Sequence, residues 1–330
     1  MMRRTSCVPV LILLATACGE RPAATADSLG DPAAAMLPPG EAKVAVHGGN
    51  VWYKVSGSGS GAPVILVHGG PGISSYYLKP LEALGDERPI VRYDQLGGGK
   101  SARISDTTMF SIAHFVTELD SLRAHLGYDR MHILGHSWGA SLGVEYYRAY
   151  PDRVISLTLA SPALDIPFWD RNSQRLIGTL SDSAQRAIKA REAEGRFDAP
   201  DYQAALAEFY GLYFWRRPVP ADIDSIMATA NQDIIMYTQG PSAFAAGGTL
   251  KTYNATPLLR EIKVPTLFTV GEFDPSDVPT VRRHAAMVPG ARVAVIPGAA
   301  HITTWDNTEE NVRVVREFLR AVDSVTGRRP

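Results

Sequence analysis

A serine with glycine two residues to either side, Gly135-His136-Ser137-Trp138-Gly139, is the first place where this sequence could do chemistry. A sharp turn that exposes a serine between a strand and a helix crowds the positions two before and two after it, and glycine relieves that crowding. The pattern alone is cheap, since roughly one chain in ten of this length holds it by chance at average composition. Its setting raises its value: the apolar run His132–Leu134 precedes it and a helical pattern, Trp138–Tyr150, follows. The competing reading is a glycine-rich turn with a capping serine. A serine hydroxyl needs a base, and the base needs an acid to orient it. In a strand–turn–helix arrangement of this kind the acid and then the histidine follow later strands. The run Val264–Val270 leads into Gly271-Glu272-Phe273-Asp274, and Arg292–Ile296 leads into Pro297-Gly298-Ala299-Ala300-His301. Asp274, at its loop tip, is the expected acid; Glu272, Asp277 and Asp165 are its rivals. His301 is the expected base. His284 and His125 fall in or near helices, His132 falls in a strand, and His136, inside the elbow, is expected to point away. The run Val64–Val67 ends in His68-Gly69-Gly70-Pro71-Gly72. That loop suits backbone N–H groups aimed at a developing oxyanion, with Gly70 and the residue after the serine, Trp138, as donors.

These residues require a parallel sheet whose strand ends gather them. Short β-type runs at Lys43–Val46 and Val51–Val55 flank the hairpin signal His47-Gly48-Gly49-Asn50. Buried-strand runs follow at Val64–Val67, Ile90–Tyr93, His132–Leu134 and Val154–Leu159. Helical spacing is seen at Tyr76–Leu84, Ile112–Leu126 and Trp138–Tyr150. Alternation of strand and helix argues for a mostly parallel sheet with helices on both faces. Residues 164–256 break the rhythm with helical patterns only, too long for a loop, and are expected to form an inserted helical cap. Strands and helices resume with Val264–Val270, Thr280–Met287, Arg292–Ile296 and Glu309–Val322. The expected core is thus residues 42–163 and 257–330. The cap holds many large side chains, of which Trp169, Tyr213 and Trp215 are the candidate substrate contacts. Arg216 and Arg217 read as a solvated pair.

Composition narrows the classes. With 33 basic and 34 acidic residues in 330, nothing supports nucleic-acid binding through bulk positive charge. The two cysteines, Cys7 and Cys18, both precede the fold, so a disulfide, thiolate metal site or cysteine nucleophile is not expected there. Residues 1–17 have a basic start and a short apolar run, which reads as an export signal. Leu14-Ala15-Thr16-Ala17-Cys18-Gly19 is similar to a bacterial lipoprotein cleavage box, with Cys18 as the lipidated residue. A plain cleaved signal, giving a soluble periplasmic or secreted protein, is the alternative. Residues 18–41, rich in Ala, Pro, Asp and Gly, read as a flexible tether. Gly19 after Cys18 leans toward the outer membrane.

Taken with Tyr93-Asp94-Gln95-Leu96-Gly97-Gly98-Gly99-Lys100-Ser101 and Gln239-Gly240-Pro241-Ser242, the motifs above resemble the proline iminopeptidase family of α/β-hydrolases. The resemblance runs from about residue 43 to 322. It implies the α/β-hydrolase fold, a triad of Ser137, Asp274 and His301, oxyanion donors at Gly70 and Trp138, and release of an N-terminal residue, often proline, from small peptides. It implies no metal or organic cofactor. Two departures stand out. The family pattern places a Glu two residues after the Gly-Pro of the cap motif and another directly after the catalytic Asp, where they hold the substrate's α-ammonium. Here those positions are Ala243 and Pro275. Asp277 or Asp170 are the candidate substitutes. The alternative is an esterase, lactonase or amidase of the same fold that needs no free amine. Epoxide hydrolase or dehalogenase relatives place Asp where Ser137 stands.

Overall fold

Every residue of the runs Val64–Val67 (β3) and Ile90–Tyr93 (β4) is buried, as expected of strands covered on both faces. This computed structural model describes residues 38–218, 226 and 228–326. The signal segment 1–17, Cys18 and the tether up to residue 37 lie outside the described residues. Eight strands form one sheet in the order β1-β2-β4-β3-β5-β6-β7-β8. The others are β1 (Gly40–Val46), β2 (Gly49–Ser56), β5 (Met131–His136), β6 (Val154–Ala160), β7 (Thr266–Gly271) and β8 (Arg292–Ile296). Only β2 runs against the rest, pairing antiparallel with β1 and β4. Its turn, at Gly48 with φ +92°, is the hairpin read from the sequence. The first strand starts at Gly40, earlier than expected, because it pairs with β2 as far as Val55.

Alternation along the strands splits the core in two. Ile65 and Val67 face a cluster with α1 (Ile112–His125) and α2 (Trp138–Ala149), including Phe115, Leu119 and Leu142. Val64 and Leu66 face the opposite cluster, with Leu78 and Leu81 and the last helix, Thr308–Thr326. That helix buries Val315, Phe318, Leu319 and Val322, the i, i+3, i+4, i+7 stripe of an amphipathic helix. The segment expected as a helix at Tyr76–Leu84 is instead a 3-10 run, Ser75–Asp86, with Pro80 inside it. A proline there removes a donor that an α-helix would use.

Between β6 and β7 the chain forms α3 (Ile166–Ile177), α4 (Asp182–Glu194), α5 (Pro200–Tyr213) and α6 (Gln232–Thr238). Leu176, Ile188, Tyr202, Phe209 and Phe244 make a third apolar cluster within this insertion. The cap thus has a core of its own. Helix α7 (Val278–Ala285) connects β7 to β8, and the four-residue helix α8 (Thr303–Asp306) precedes the last helix, α9 (Thr308–Thr326). No helix among the described residues is long and apolar enough to cross a membrane.

Candidate active site

Parallel strands place their carboxyl ends along one sheet edge, where ligands of open α/β sheets bind. Ser137 sits at that edge between β5 and α2 with φ +56° and ψ −121°, on the side of backbone space that L-residues avoid. The turn is pinned on both sides: Ser137 N–H donates to Ala160 O at 2.9 Å, and Ser137 O accepts from Ala140 N–H at 3.0 Å. The glycines are sterically required. A Cβ on Gly135 would lie 2.1 Å from Gly139 O, and one on Gly139 would lie 2.1 Å from Val67 O.

Asp274 follows β7 and His301 follows β8, and the structure joins them: His301 Nδ1 and Asp274 Oδ1 are 3.0 Å apart, both groups buried. Burial alone would raise the Asp274 carboxyl. The adjacent His301, Ser161 and the Ser276 N–H together hold it below its usual value. The Ser276 N–H donates to Oδ1 at 2.8 Å. Ser161 stands beside the carboxylate. The rival acids have other work. Asp165 caps α3 by accepting from Phe168 N–H at 3.0 Å, and Asp277 caps α7 by accepting from Thr280 N–H at 2.7 Å. Glu272 is exposed and accepts from Gly298 N–H at 3.0 Å.

Ser137 and His301 line one cavity of about 450 Å³ together with Gly70 and Trp138. Ser137 Oγ is not hydrogen-bonded to His301 among the described residues; such contacts often tighten only on substrate binding. In the loop after β3, Gly70 has φ +110°, which only glycine adopts without strain. The Gly69 N–H is occupied by Tyr77 Oη at 2.6 Å, and its neighbour Gly70 lines the cavity. Trp138 N–H belongs to the first turn of α2, where helix N–H groups have no intrahelical partner. Gln95, from the loop after β4, ties these two elements: its Nε2 donates to His68 O at 2.9 Å, and Trp138 Nε1 donates to its Oε1 at 3.1 Å.

His136 corrects the sequence reading. It does not point away; it lies under the site, its ring centroid 4.8 Å from that of His301. Its Nε2 bonds His301 O at 2.9 Å and its Nδ1 bonds Tyr77 Oη at 3.0 Å. The His301 carbonyl can only accept, so Nε2 carries the ring proton, and Nδ1 of the neutral ring accepts from the Tyr77 hydroxyl. Burial and then the neighbouring His301 push the His136 pKa down to about 3, so this imidazole is neutral. One buried chain, Gly69–Tyr77–His136–His301, therefore links the loop after β3 to the loop after β8.

The cap closes over this edge. Trp169 and Phe214 pack against His301 with ring centroids 5.1 and 5.0 Å away, and Trp215 also lines the cavity. Tyr213 does not line it. Its Oη bonds Thr179 Oγ1 at 2.5 Å, its ring packs on Phe209, and its carbonyl accepts from His301 N–H at 3.0 Å. The aromatic that faces the site is its neighbour Phe214. Sequence reasoning also missed Asp306. This buried carboxylate accepts from Arg216 N–H at 2.7 Å, Arg217 N–H at 3.2 Å and Ala300 N–H at 2.8 Å, clamping the segment after α5 to the loop after β8. Arg216 and Arg217 are both exposed, in keeping with a solvated pair; Arg216 also stacks 3.8 Å over Phe273, and Arg217 lines the cavity. Ala243 is part of the cavity wall, whereas the Pro275 carbonyl accepts from Asn172 Nδ2 at 2.7 Å. No group of His, Cys, Asp and Glu among the described residues is placed to hold a metal ion.

Comparison with known proteins agrees with this architecture. Residues 62–308 match the model of the α/β-hydrolase fold family. A proline iminopeptidase from Heyndrickxia coagulans is 36% identical over 86% of this chain and 99% of its own length. The crystal structure of a Mycobacterium smegmatis proline iminopeptidase superposes with a TM-score of 0.81 at 30% identity, over 87% of this chain and 100% of its own. The crystal structure of VinJ superposes with a TM-score of 0.83 at 28% identity, over 86% of this chain and all of its own. On its sheet, its serine elbow and these likenesses, the chain belongs to the α/β-hydrolases and, among them, to the proline iminopeptidase family.

Proposed function

We propose that this chain is a serine aminopeptidase that releases an N-terminal residue, proline foremost, from small peptides by acyl-enzyme chemistry. The observation that carries the reading is the buried 3.0 Å Asp274–His301 contact in a loop that shares one cavity with the strained Ser137. His301 Nε2 takes the proton of Ser137 Oγ as that oxygen bonds the scissile carbonyl carbon, and the carbonyl electron pair moves onto oxygen. The N–H groups of Gly70 and Trp138 hold that oxyanion. Asp274 keeps His301 in the tautomer with Nδ1 protonated and stabilises the imidazolium. The oxyanion collapses, the C–N bond breaks, and His301 gives the proton to the leaving amine. Water, deprotonated by His301, then cleaves the ester on Ser137 and frees the residue.

A second reading, an esterase, lactonase or amidase indifferent to a free amine, is favoured by Ala243 and Pro275 at the positions of the family's carboxylates. Residues 38–330, beside a Ser137→Ala control, decide between the two on proline β-naphthylamide, its N-acetylated form and p-nitrophenyl acetate. Preference for the free amine over its N-acetylated form supports the aminopeptidase; ester turnover with indifference or hostility to the free amine overturns it. We further propose export and lipid attachment at Cys18, which places the enzyme on a membrane facing the periplasm or exterior. Radiolabelled palmitate should enter the full chain and not Cys18→Ala; equal labelling, or none, overturns the anchor.

A further inference from the structure

We propose that the Asp170 carboxylate, on the cap wall of the cavity, is the anion that receives the substrate's free α-ammonium group. The inference rests on the aminopeptidase reading above and assigns the residue that selects for a free amine. Such a substrate carries a cation into a space walled by Trp169, Tyr210, Phe214 and Trp215. An ammonium leaving water for apolar surroundings is costly without a counter-charge. Among the described residues, two carboxylates line the cavity, Asp170 and Asp306. Asp306 has both oxygens committed to three backbone N–H groups and holds the loop of the base in place. Asp170 accepts one hydrogen bond, from Ala246 N–H to Oδ1 at 3.1 Å, and forms no ion pair among the described residues. It is half-buried and lines the cavity.

Its placement fits the role. Asp170 follows Trp169 on α3, and Trp169 packs 5.1 Å from the His301 ring. The backbone it holds, at Ala246, is three residues past Ala243, which lines the same wall with only a methyl group. The carboxylate thus stands against the loop where the side chain at 243 offers none. Burial lifts the Asp170 carboxyl above its usual value, against the Ala246 N–H and the charges of Lys251 and Arg171; a bound ammonium would favour its ionised form. Asp277, the other candidate substitute, is engaged as the cap of α7 and does not line the cavity.

The test is Asp170→Asn, which keeps an acceptor for Ala246 N–H and removes the charge. The readout is the ratio of kcat/KM for proline β-naphthylamide to that for p-nitrophenyl acetate. The ratio should fall about tenfold or more, chiefly through a higher KM for the amine substrate. Ala243→Glu in the Asp170→Asn background, which returns a carboxylate to the same wall, should recover part of that ratio. Equal losses on both substrates would make Asp170 structural and overturn the inference. A wild-type enzyme that requires the free amine, with an unchanged ratio in Asp170→Asn, overturns the inference and leaves the aminopeptidase standing. A wild-type enzyme without amine preference overturns the aminopeptidase reading itself, and this inference with it.

Discussion

Removing one hydroxyl from Tyr77 should damage both stability and turnover, while the same change at Tyr93 should damage neither. Tyr77 Oη is buried between two partners, accepting from Gly69 N–H at 2.6 Å and donating to His136 Nδ1 at 3.0 Å. Tyr77→Phe leaves both without a partner, at about 1–3 kcal/mol for each unsatisfied buried group. The sum, about 2–6 kcal/mol, is an upper range, because water from the adjoining cavity can reach the vacated position. A loss near 2 kcal/mol corresponds to a fall in Tm of about 3 °C for a chain of this size. Turnover should fall as well, since Gly69 precedes the proposed oxyanion donor Gly70. Losing an oxyanion donor outright costs about 2.7–4 kcal/mol, and loosening one should cost less. A decrease in kcat of about 10- to 100-fold, with KM little changed, is therefore expected. Tyr93 is the control. Its buried Oη has no hydrogen-bond partner among the described residues, and burial pushes its pKa well above that of an ordinary tyrosine. Tyr93→Phe relieves a desolvation cost and should be neutral or stabilising by about 1 kcal/mol. Thermal melts and steady-state kinetics on proline β-naphthylamide read both variants. A Tyr77→Phe enzyme with a lowered Tm and unaltered kcat would refute the link between this hydroxyl and the oxyanion loop. Equal Tm changes in the two variants would refute the hydrogen-bond accounting.

Three further outcomes follow from the same structure. Burial raises the Glu118 carboxyl to about 8, against the Leu96 N–H that donates to it at 2.9 Å. Between the ordinary value of 4.5 and about 8 the folded state holds a proton that the unfolded chain releases, so this group makes stability fall as pH rises, by about 1.4 kcal/mol per pH unit. Glu118→Gln keeps the acceptor and should flatten that decline in urea melts between pH 5 and 8; an unchanged slope would contradict it. Gly139→Ala forces a Cβ to 2.1 Å from the Val67 carbonyl, so it should cost more than about 3 kcal/mol or abolish soluble expression. Near-normal Tm in that variant would mean the elbow is not as tight as described. Asp274→Asn should preserve the fold and lower kcat about 10³- to 10⁴-fold by permitting the wrong tautomer of His301. A drop below tenfold would hand the orienting role to another group.

Much of the site was readable because parallel strands deliver their ends to one edge. Ser137, Asp274 and His301 each follow a strand-forming run, and once the runs are strands the three must converge. The crowding argument for Gly135 and Gly139 likewise needed only the turn, and the clash distances agree with it. What escaped was side-chain direction and bonding to backbone. Within the aromatic run Phe209–Trp215, nearly every position is apolar, so no periodicity separates the inward Phe214 from Tyr213, which faces Thr179. The orientation of His136 depends on Tyr77, which stands on a 3-10 segment that Pro80 keeps from being an α-helix. Among the described residues Asp306 works through backbone N–H groups of residues 216, 217 and 300, partners that residue types do not advertise.

The most direct test of the central claim is intact-protein and peptide mass spectrometry after a fluorophosphonate probe, on the wild type, Ser137→Ala and His301→Ala. The account predicts one adduct, on the peptide holding Ser137, absent from Ser137→Ala and strongly slowed in His301→Ala, with loss of proline β-naphthylamide hydrolysis in parallel. An adduct on another residue, or labelling of Ser137 at an undiminished rate without His301, would contradict it.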